Sequence, residues 1–437
     1  MTRRAPPAPP TTVLIVGSGE FGSTTALSLA EGPYRGHEHL ITVVERGAEN
    51  GFASDAASSD YNKIVRSEYS DPLYAQLARE AIDLWNRDER WKPHYHSVGV
   101  IALSSKEDPQ TGYVQKAYEF NKEELGEGMC ECREDEGMKE LYELGISTGQ
   151  FKGDWGYKNK SGGWAASRDA VLSTISLCRS LGVKFVSGTA STLLYNTNRT
   201  DVIGIKLESG SQLLADLTIS AIGSWTPMLL PELGEKCLPT GQTVAVIQLN
   251  EEERERYENV PVSLCMDTGF YCFPPTHNGL MKFAIHDRGW LSPNRELNLP
   301  STPRTSLTPG YEHQQIPASA LKALKQGMER IHPELAKKEI VETRLCWYSD
   351  RESGDFLFDY HPRYPSLFVA AGGSGHAFKF MPLTGSWILS SLQGELGGEL
   401  KRLWSWEGDA TRLDKSRGEG VIVRKILDEG DRREAKL

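Results

Sequence analysis

Five short stretches of the chain carry side chains able to do chemistry. TRLCWYSD (343–350) holds Cys346 between aliphatic and aromatic neighbours, and a thiolate is the common side chain that attacks carbon and leaves a stable link. VGSGEFG holds Gly17, Gly19 and Gly22, the spacing at which backbone amides can approach a pyrophosphate. SSDYNKIVRSEY supplies Lys63 and Arg66, and GGSGHAFKF supplies Lys379 behind Gly373 and Gly375. An arginine offers a planar fork and a lysine a point charge, each able to hold an anion. GFYCFPPTHNGLMKFAIHDRG supplies Tyr271, Lys282 and His286, where a cation can stabilise developing negative charge and a histidine can exchange protons.

The glycines need a strand and a helix to place them, and both are legible. VLIV (13–16) is a short apolar run ending at Gly17, a helical pattern follows from Ser23 to Ala30, and LITVVE (40–45) is a second strand. Glu45 ends that strand, about 20 residues beyond the glycines, where an acid accepts hydrogen bonds from a ribose bearing free hydroxyls. This is a dinucleotide cradle. FAD and NAD share it, but the next strand–glycine segment, TISAIGSW, comes only at 218–225, and so wide an interruption suits FAD. A helix is expected over 71–91, a second helix and strand over 168–190, and a last helix over 382–404. The stretches 97–162 and 228–345 break the alternation and are rich in aromatics and turn residues. The expected class is therefore α/β, with two interleaved lobes. The nucleotide lobe is assembled from 11–96, 163–227 and 346–406, a sheet-rich substrate lobe from 97–162 and 228–345, and a tail runs from 407 to 437.

Composition narrows the partners. Of 437 residues, 49 are Lys or Arg and 59 Asp or Glu, a net charge of −10 that leaves no basic stripe for nucleic acid. No apolar run approaches the roughly 20 residues of a membrane span. MTRRAPPAPPTT lacks the apolar centre of a secretory signal and is expected as a disordered lead-in. The seven cysteines are odd in number and scattered, which points to a reducing compartment. The Cys130–Cys132 pair has no second pair at zinc spacing, so no metal is expected. The final Ala435, Lys436 and Leu437 resemble the peroxisomal address S-K-L, which points to the peroxisome and otherwise to the cytoplasm.

Over roughly residues 11–406 these motifs together resemble the monomeric sarcosine oxidase family, which includes pipecolate oxidases and the fructosyl amino acid oxidases (amadoriases). The resemblance implies FAD bound covalently through Cys346, whose C-W-Y context (Cys346, Trp347, Tyr348) matches the family's. It places Lys63 near the flavin ring, Arg66 and Lys379 on the substrate carboxylate, and Lys282 where the family activates oxygen. Tyr271, His286 and Tyr348 would line the substrate pocket. The implied reaction is oxidation of an amino acid at a secondary amine, with oxygen reduced to hydrogen peroxide, by a monomer. Two positions depart from the amadoriase pattern: His286 replaces a glutamate that contacts the sugar, and Ser405 in LWSW replaces an arginine. Substrates such as N-methyl amino acids, sarcosine or pipecolate are therefore expected ahead of fructosyl amino acids. A flavoprotein without oxidase activity is the third reading, and it predicts damage at Lys282, Lys379 or Cys346 that the chain does not have. Phe270, Tyr271, Trp347 and Tyr348 would either admit a bulky aromatic substrate or simply fill space.

Overall fold

Val13–Val16 is buried on both faces, and none of its four apolar side chains is more than 2% exposed. The strand lies inside a parallel sheet covered on each side, which demands apolar residues at every position. The structure is a computed structural model that describes residues 7–47, 51–105, 111–132, 135–142, 146–147, 149–151, 153–312, 316–414, 416 and 424–427. The sheet has six strands in the order Leu357–Tyr360, Leu367–Ala371, Leu217–Ser220, Val13–Val16, Ile41–Glu45, Lys184–Ser187. All pair in parallel except Leu357–Tyr360, which runs antiparallel at the edge. Helices Glu20–Glu31, Ser167–Leu181 and Met381–Gln393 pack together on one face. A three-stranded antiparallel sheet, Ala190–Tyr195, Val202–Leu207 and Gln212–Leu214, covers the other face, where Leu193 and Ile205 meet Leu14 and Val16.

The second large sheet is mixed and centres on Leu238–Gln248, which pairs antiparallel with both Leu280–Ile285 and Ile340–Asp350. Phe270–Cys272, Val262–Cys265, Val100–Ser105, Asp154–Asn159 and Met129–Cys132 extend it in that order. Helix Ala318–Ile331 closes its apolar face. The boundary expected between 345 and 346 falls inside the continuous strand Ile340–Asp350, which pairs along nearly its whole length with Leu238–Ile247. A fourth, small sheet of Lys63–Val65, Gly163–Ala165 and Tyr95–His96 packs with Phe378 and Met381, bringing the Lys63 stretch to the Lys379 loop.

Helix Pro72–Arg87 is shorter than the expected 71–91 span. Asp71 caps it, its side chain accepting from Leu73 N at 2.9 Å, and proline follows at the first helical position. The single helix expected over 382–404 is two, Met381–Gln393 and Gly398–Leu403. Gly394 ends the first of them at φ +76°, a left-handed stop that glycine takes without strain. Among the described residues no helix is long and apolar enough to cross a membrane. Ala435, Lys436 and Leu437 lie outside the described residues, as do residues 1–6 of the proline-rich lead-in.

Candidate active site

The glycine turn is built as its spacing predicts. Gly17 has φ +97°, and a Cβ there would sit 2.5 Å from the carbonyl oxygen of Ala221. At Gly22 a Cβ would sit 1.9 Å from Gly17 O, so the helix can start this close to the strand only with glycine at that position. Gly19 caps the helix in extended conformation, and the nearest atom a Cβ would meet is Ser58 Oγ at 3.2 Å. Glu45 turns back onto the loop: its Oε2 accepts from Ser18 N (2.9 Å) and Ser18 Oγ (3.1 Å), and its Oε1 accepts from Arg46 N (2.8 Å). Around this cradle Ser220 Oγ, Ser224 Oγ and Glu20 Oε1 are buried with no hydrogen-bond partner among the described residues. These are donors and acceptors that a nucleotide would satisfy, so the residues fit FAD.

Glu20 carries no expectation from the motif, whose fourth position is unspecified. Its Oε1 is sealed from solvent although the side chain as a whole is only partly covered. Burial pushes its carboxyl up to about 8, against the partial opposition of Lys379 and Lys63. An acid whose folded-state pKa is raised contributes stability that is fully present below its unfolded value near 4.5 and is lost as pH rises through about 8. Glu20→Gln is therefore expected to leave the melting temperature of cofactor-free protein unchanged near pH 4.5 and to raise it at pH 8–9. Thermal unfolding across that range checks this, and equal shifts at both ends would remove Glu20 as the titrating group.

A cavity of about 360 Å³ opens where the mixed sheet meets the small Lys63–Val65 sheet and the Gly375–Lys379 loop, and Arg66, Lys379, Tyr271, His286, Tyr348 and Gly375 all line it. Arg66 is half-buried, donates to Glu68 O, and lies over the Tyr69 ring at 5.3 Å. Lys379 donates to Tyr69 Oη (2.7 Å) and to His376 O (3.0 Å), both neutral acceptors. Burial, and then the nearby Arg66 charge, hold its ammonium well below the usual lysine range. Gly375 (φ +74°) presses the loop against Tyr348, whose ring a Cβ would meet at 2.3 Å. Gly373 shares the turn, but a Cβ there would make only ordinary contacts. The His286 and Tyr348 rings are 5.9 Å apart. Pocket residues from outside the expected set include Tyr69, Tyr113, Arg412 and Asp414.

Beside the cavity lies a charge cluster around Asp60. Lys282 is 1% exposed and donates to Asp60 Oδ2 (2.7 Å) and to Asn62 O (2.6 Å), with its ammonium 4.5 Å from the Phe273 ring centre. Lys63 also donates to Asp60 Oδ2 (2.7 Å) and lies 3.7 Å from Cys346 Sγ. Arg344 reaches Asp60 Oδ1 at 2.6 Å. Cys346 is 3% exposed, on the same strand face as Arg344 and Tyr348.

A family model described as DAO, FAD dependent oxidoreductase, matches residues 12–390. The chain belongs to this family. It is 30% identical over 435 residues to L-saccharopine oxidase of Schizosaccharomyces pombe, covering 96% of this chain and 98% of the relative. It is 25% identical over 406 residues to peroxisomal sarcosine oxidase of Homo sapiens, covering 88% and 92%. The fold superposes on the fructosamine oxidase amadoriase II of Aspergillus fumigatus with a TM-score of 0.82 and 27% identity over 95% of each chain. The protein is thus an FAD-dependent oxidase of amino acid derivatives.

Within this oxidase the expected site residues fall into three groups that the fold brings together: the cradle (Gly17, Gly19, Gly22, Glu45), the cavity (Arg66, Lys379, Tyr271, His286, Tyr348, Gly375) and the Asp60 cluster (Lys63, Lys282, Cys346). Two of the aromatics considered for substrate do not line the cavity. Phe270 and Trp347 alternate to the other face of their strands and fill the core under helix Ala318–Ile331. Trp347 Nε1 donates there to Arg304 O at 2.7 Å. Ser405 likewise does not line the cavity, and its Oγ instead accepts from Gly408 N and donates to Arg402 O. Asp60 and Arg344 were missed. The available signals were an acid three residues before Lys63 and an arginine two residues before Cys346, the period that puts both on one strand face.

Proposed function

We propose that the enzyme oxidises an amino acid whose nitrogen is secondary, such as an N-methyl or cyclic amino acid, with FAD attached through Cys346. The carrying observation is the convergence of Arg66 and Lys379 on one cavity wall, with Tyr271, His286 and Tyr348 on the same cavity. Arg66 offers a planar fork and Lys379 a point charge, which together orient one carboxylate and leave the adjacent C–H and nitrogen toward the aromatic and histidine side. His286 and Tyr348 are the polar groups placed to favour the neutral amine. Bound FAD would supply the two-electron acceptor, with oxygen as the final oxidant and hydrogen peroxide as its product. The iminium product would hydrolyse to an aldehyde and a primary amine, both in one ring-opened molecule when the substrate is cyclic, or be trapped by a nearby nucleophile. Saccharopine and sarcosine, named in the relatives' descriptions, share a secondary amine next to a carboxylate.

Oxidation of fructosyl amino acids is the second reading, favoured by the likeness to amadoriase II. His286 in place of the amadoriase glutamate argues against it. A peroxide-coupled assay with N-methyl amino acids, pipecolate, saccharopine and fructosyl-glycine in parallel separates the two. Turnover of fructosyl-glycine alone would overturn the first reading.

Covalent attachment is supported by a buried Sγ with the Lys63 ammonium beside it. Cys346→Ala is expected to fold, bind FAD and lose all of it on acid precipitation, whereas the wild-type pellet stays yellow. Equal release from both proteins would mean the flavin is held non-covalently. Peroxide production also suits a peroxisomal location, as does the likeness to peroxisomal sarcosine oxidases, and the protein would work as a monomer.

A further inference from the structure

Asp60 is a carboxylate with every acceptor position filled. Its Oδ2 takes Lys63 Nζ and Lys282 Nζ, each at 2.7 Å, and its Oδ1 takes Arg344 Nη2 (2.6 Å) and Tyr61 N (2.9 Å). Its backbone is fixed as well, since Asp60 O accepts from Ser167 Oγ (2.8 Å) and Arg168 N (3.1 Å) at the start of helix Ser167–Leu181. One buried anion thus holds three cations that come from three different elements, and with Glu342 3.6 Å from Arg344 Nε the cluster keeps one net positive charge against the region of Cys346. From this geometry we infer that Asp60 is a positioning residue: it holds Lys282 in place and protonated, and through Lys63 it ties that charge to the Cys346 attachment point. The inference rests on the reading of Lys282 as the cation that assists oxygen.

The electrostatics agree in sign. Burial would raise the Asp60 carboxyl, but Lys282, Lys63 and Arg344 together hold it well below its ordinary value. Burial pulls Lys282 down to about 8; Asp60 opposes that fall, and Lys63 and Arg344 add to it. The other titratable groups around the cluster are Cys346, Tyr271 and Tyr348 beside it, with Glu342 and Tyr61 bonded to one another at its outer edge. An ordered consequence follows. Removing the Asp60 charge must lower the Lys282 pKa, and removing the Arg344 charge must raise it.

The test uses holoenzyme of the wild type, Asp60→Asn, Arg344→Gln and Lys282→Met. The visible spectrum of the oxidised, resting enzyme is titrated with pH, which detects ionisation beside the ring without turnover, and flavin reoxidation by oxygen is followed separately. In the wild type both should show a limb that Lys282→Met abolishes. In Asp60→Asn the limb should move to lower pH by at least about one unit, which is about a tenfold loss of reoxidation rate on the alkaline side. In Arg344→Gln it should move to higher pH. A folded Asp60→Asn with the wild-type limb overturns the inference. If that variant does not fold, an acid or absent shift in Arg344→Gln overturns it instead. Wild-type reoxidation in Lys282→Met would reject the oxygen role of Lys282, while the spectral limbs would still decide whether Asp60 governs its protonation.

Discussion

Lys282→Met is expected to slow reoxidation of the reduced enzyme by oxygen by about two to three orders of magnitude, the loss typical when one preorganised charge-stabilising group is removed. The reduction of the enzyme by substrate should change far less, because Lys282 does not line the substrate cavity. The expected size follows from its setting. The ammonium is 1% exposed, so no water or mobile side chain can take over its charge. Methionine has nearly the length and volume of lysine without the charge, so packing against Phe273 survives the change. In the wild type, reoxidation should fall as pH rises through about 8, since burial lowers the lysine to that value and the protonated form is the useful one. Anaerobic reduction followed by rapid mixing with oxygen measures both effects. Reoxidation at the wild-type rate would shift the role to Lys63 or Arg344, the other two cations on Asp60.

Which features could be seen in the chain, and which could not, follows the range of the interactions. Gly17, Gly22 and Glu45 are explicit because their demands are local: a turn, a close helix start and a strand end, all within one strand–helix–strand unit. The strands around them were equally plain, since a doubly covered parallel strand is uniformly apolar. Arg66 and Lys379 lie near opposite ends of the chain and meet only through the packing of the Lys63–Val65 sheet against the Phe378 loop. The residues alone do not reveal that meeting, and only the family resemblance implied it. Asp60 escaped notice because a single acid in a serine-rich loop resembles any solvated turn until the fold surrounds it with cations. For Phe270 and Trp347 the sequence left pocket and core both open, and the fold decides for core, since a strand sends them to the face opposite Tyr271 and Tyr348. The break at Gly394 was visible in principle as a glycine at the end of an apolar helical run, yet a glycine inside a helical pattern carries little weight without its backbone angle.

Substituting the carboxylate-binding cations is the second change with a large expected effect. Arg66→Met is expected to lower kcat/KM by about 10- to 10⁴-fold, from the loss of one or two charged hydrogen bonds of about 1.5–3 kcal/mol each. Lys379→Met should act in the same direction, and the double variant should lose less than the sum because both cations hold one group. Lys379 adds a pH dependence of its own. Burial and Arg66 hold it well below the ordinary lysine range, so it sheds its proton well before a surface lysine would. An arriving carboxylate restores the charged form, and binding then takes up a proton. Affinity for an unreactive carboxylate analogue should therefore weaken as pH rises past the lowered Lys379 value, by up to about tenfold per unit, and Lys379→Met should remove that slope. Calorimetry of analogue binding in buffers of different ionisation enthalpy measures the proton uptake directly. Uptake that persists in Lys379→Met would assign the titration to another group on the same cavity, with His286 the first to test.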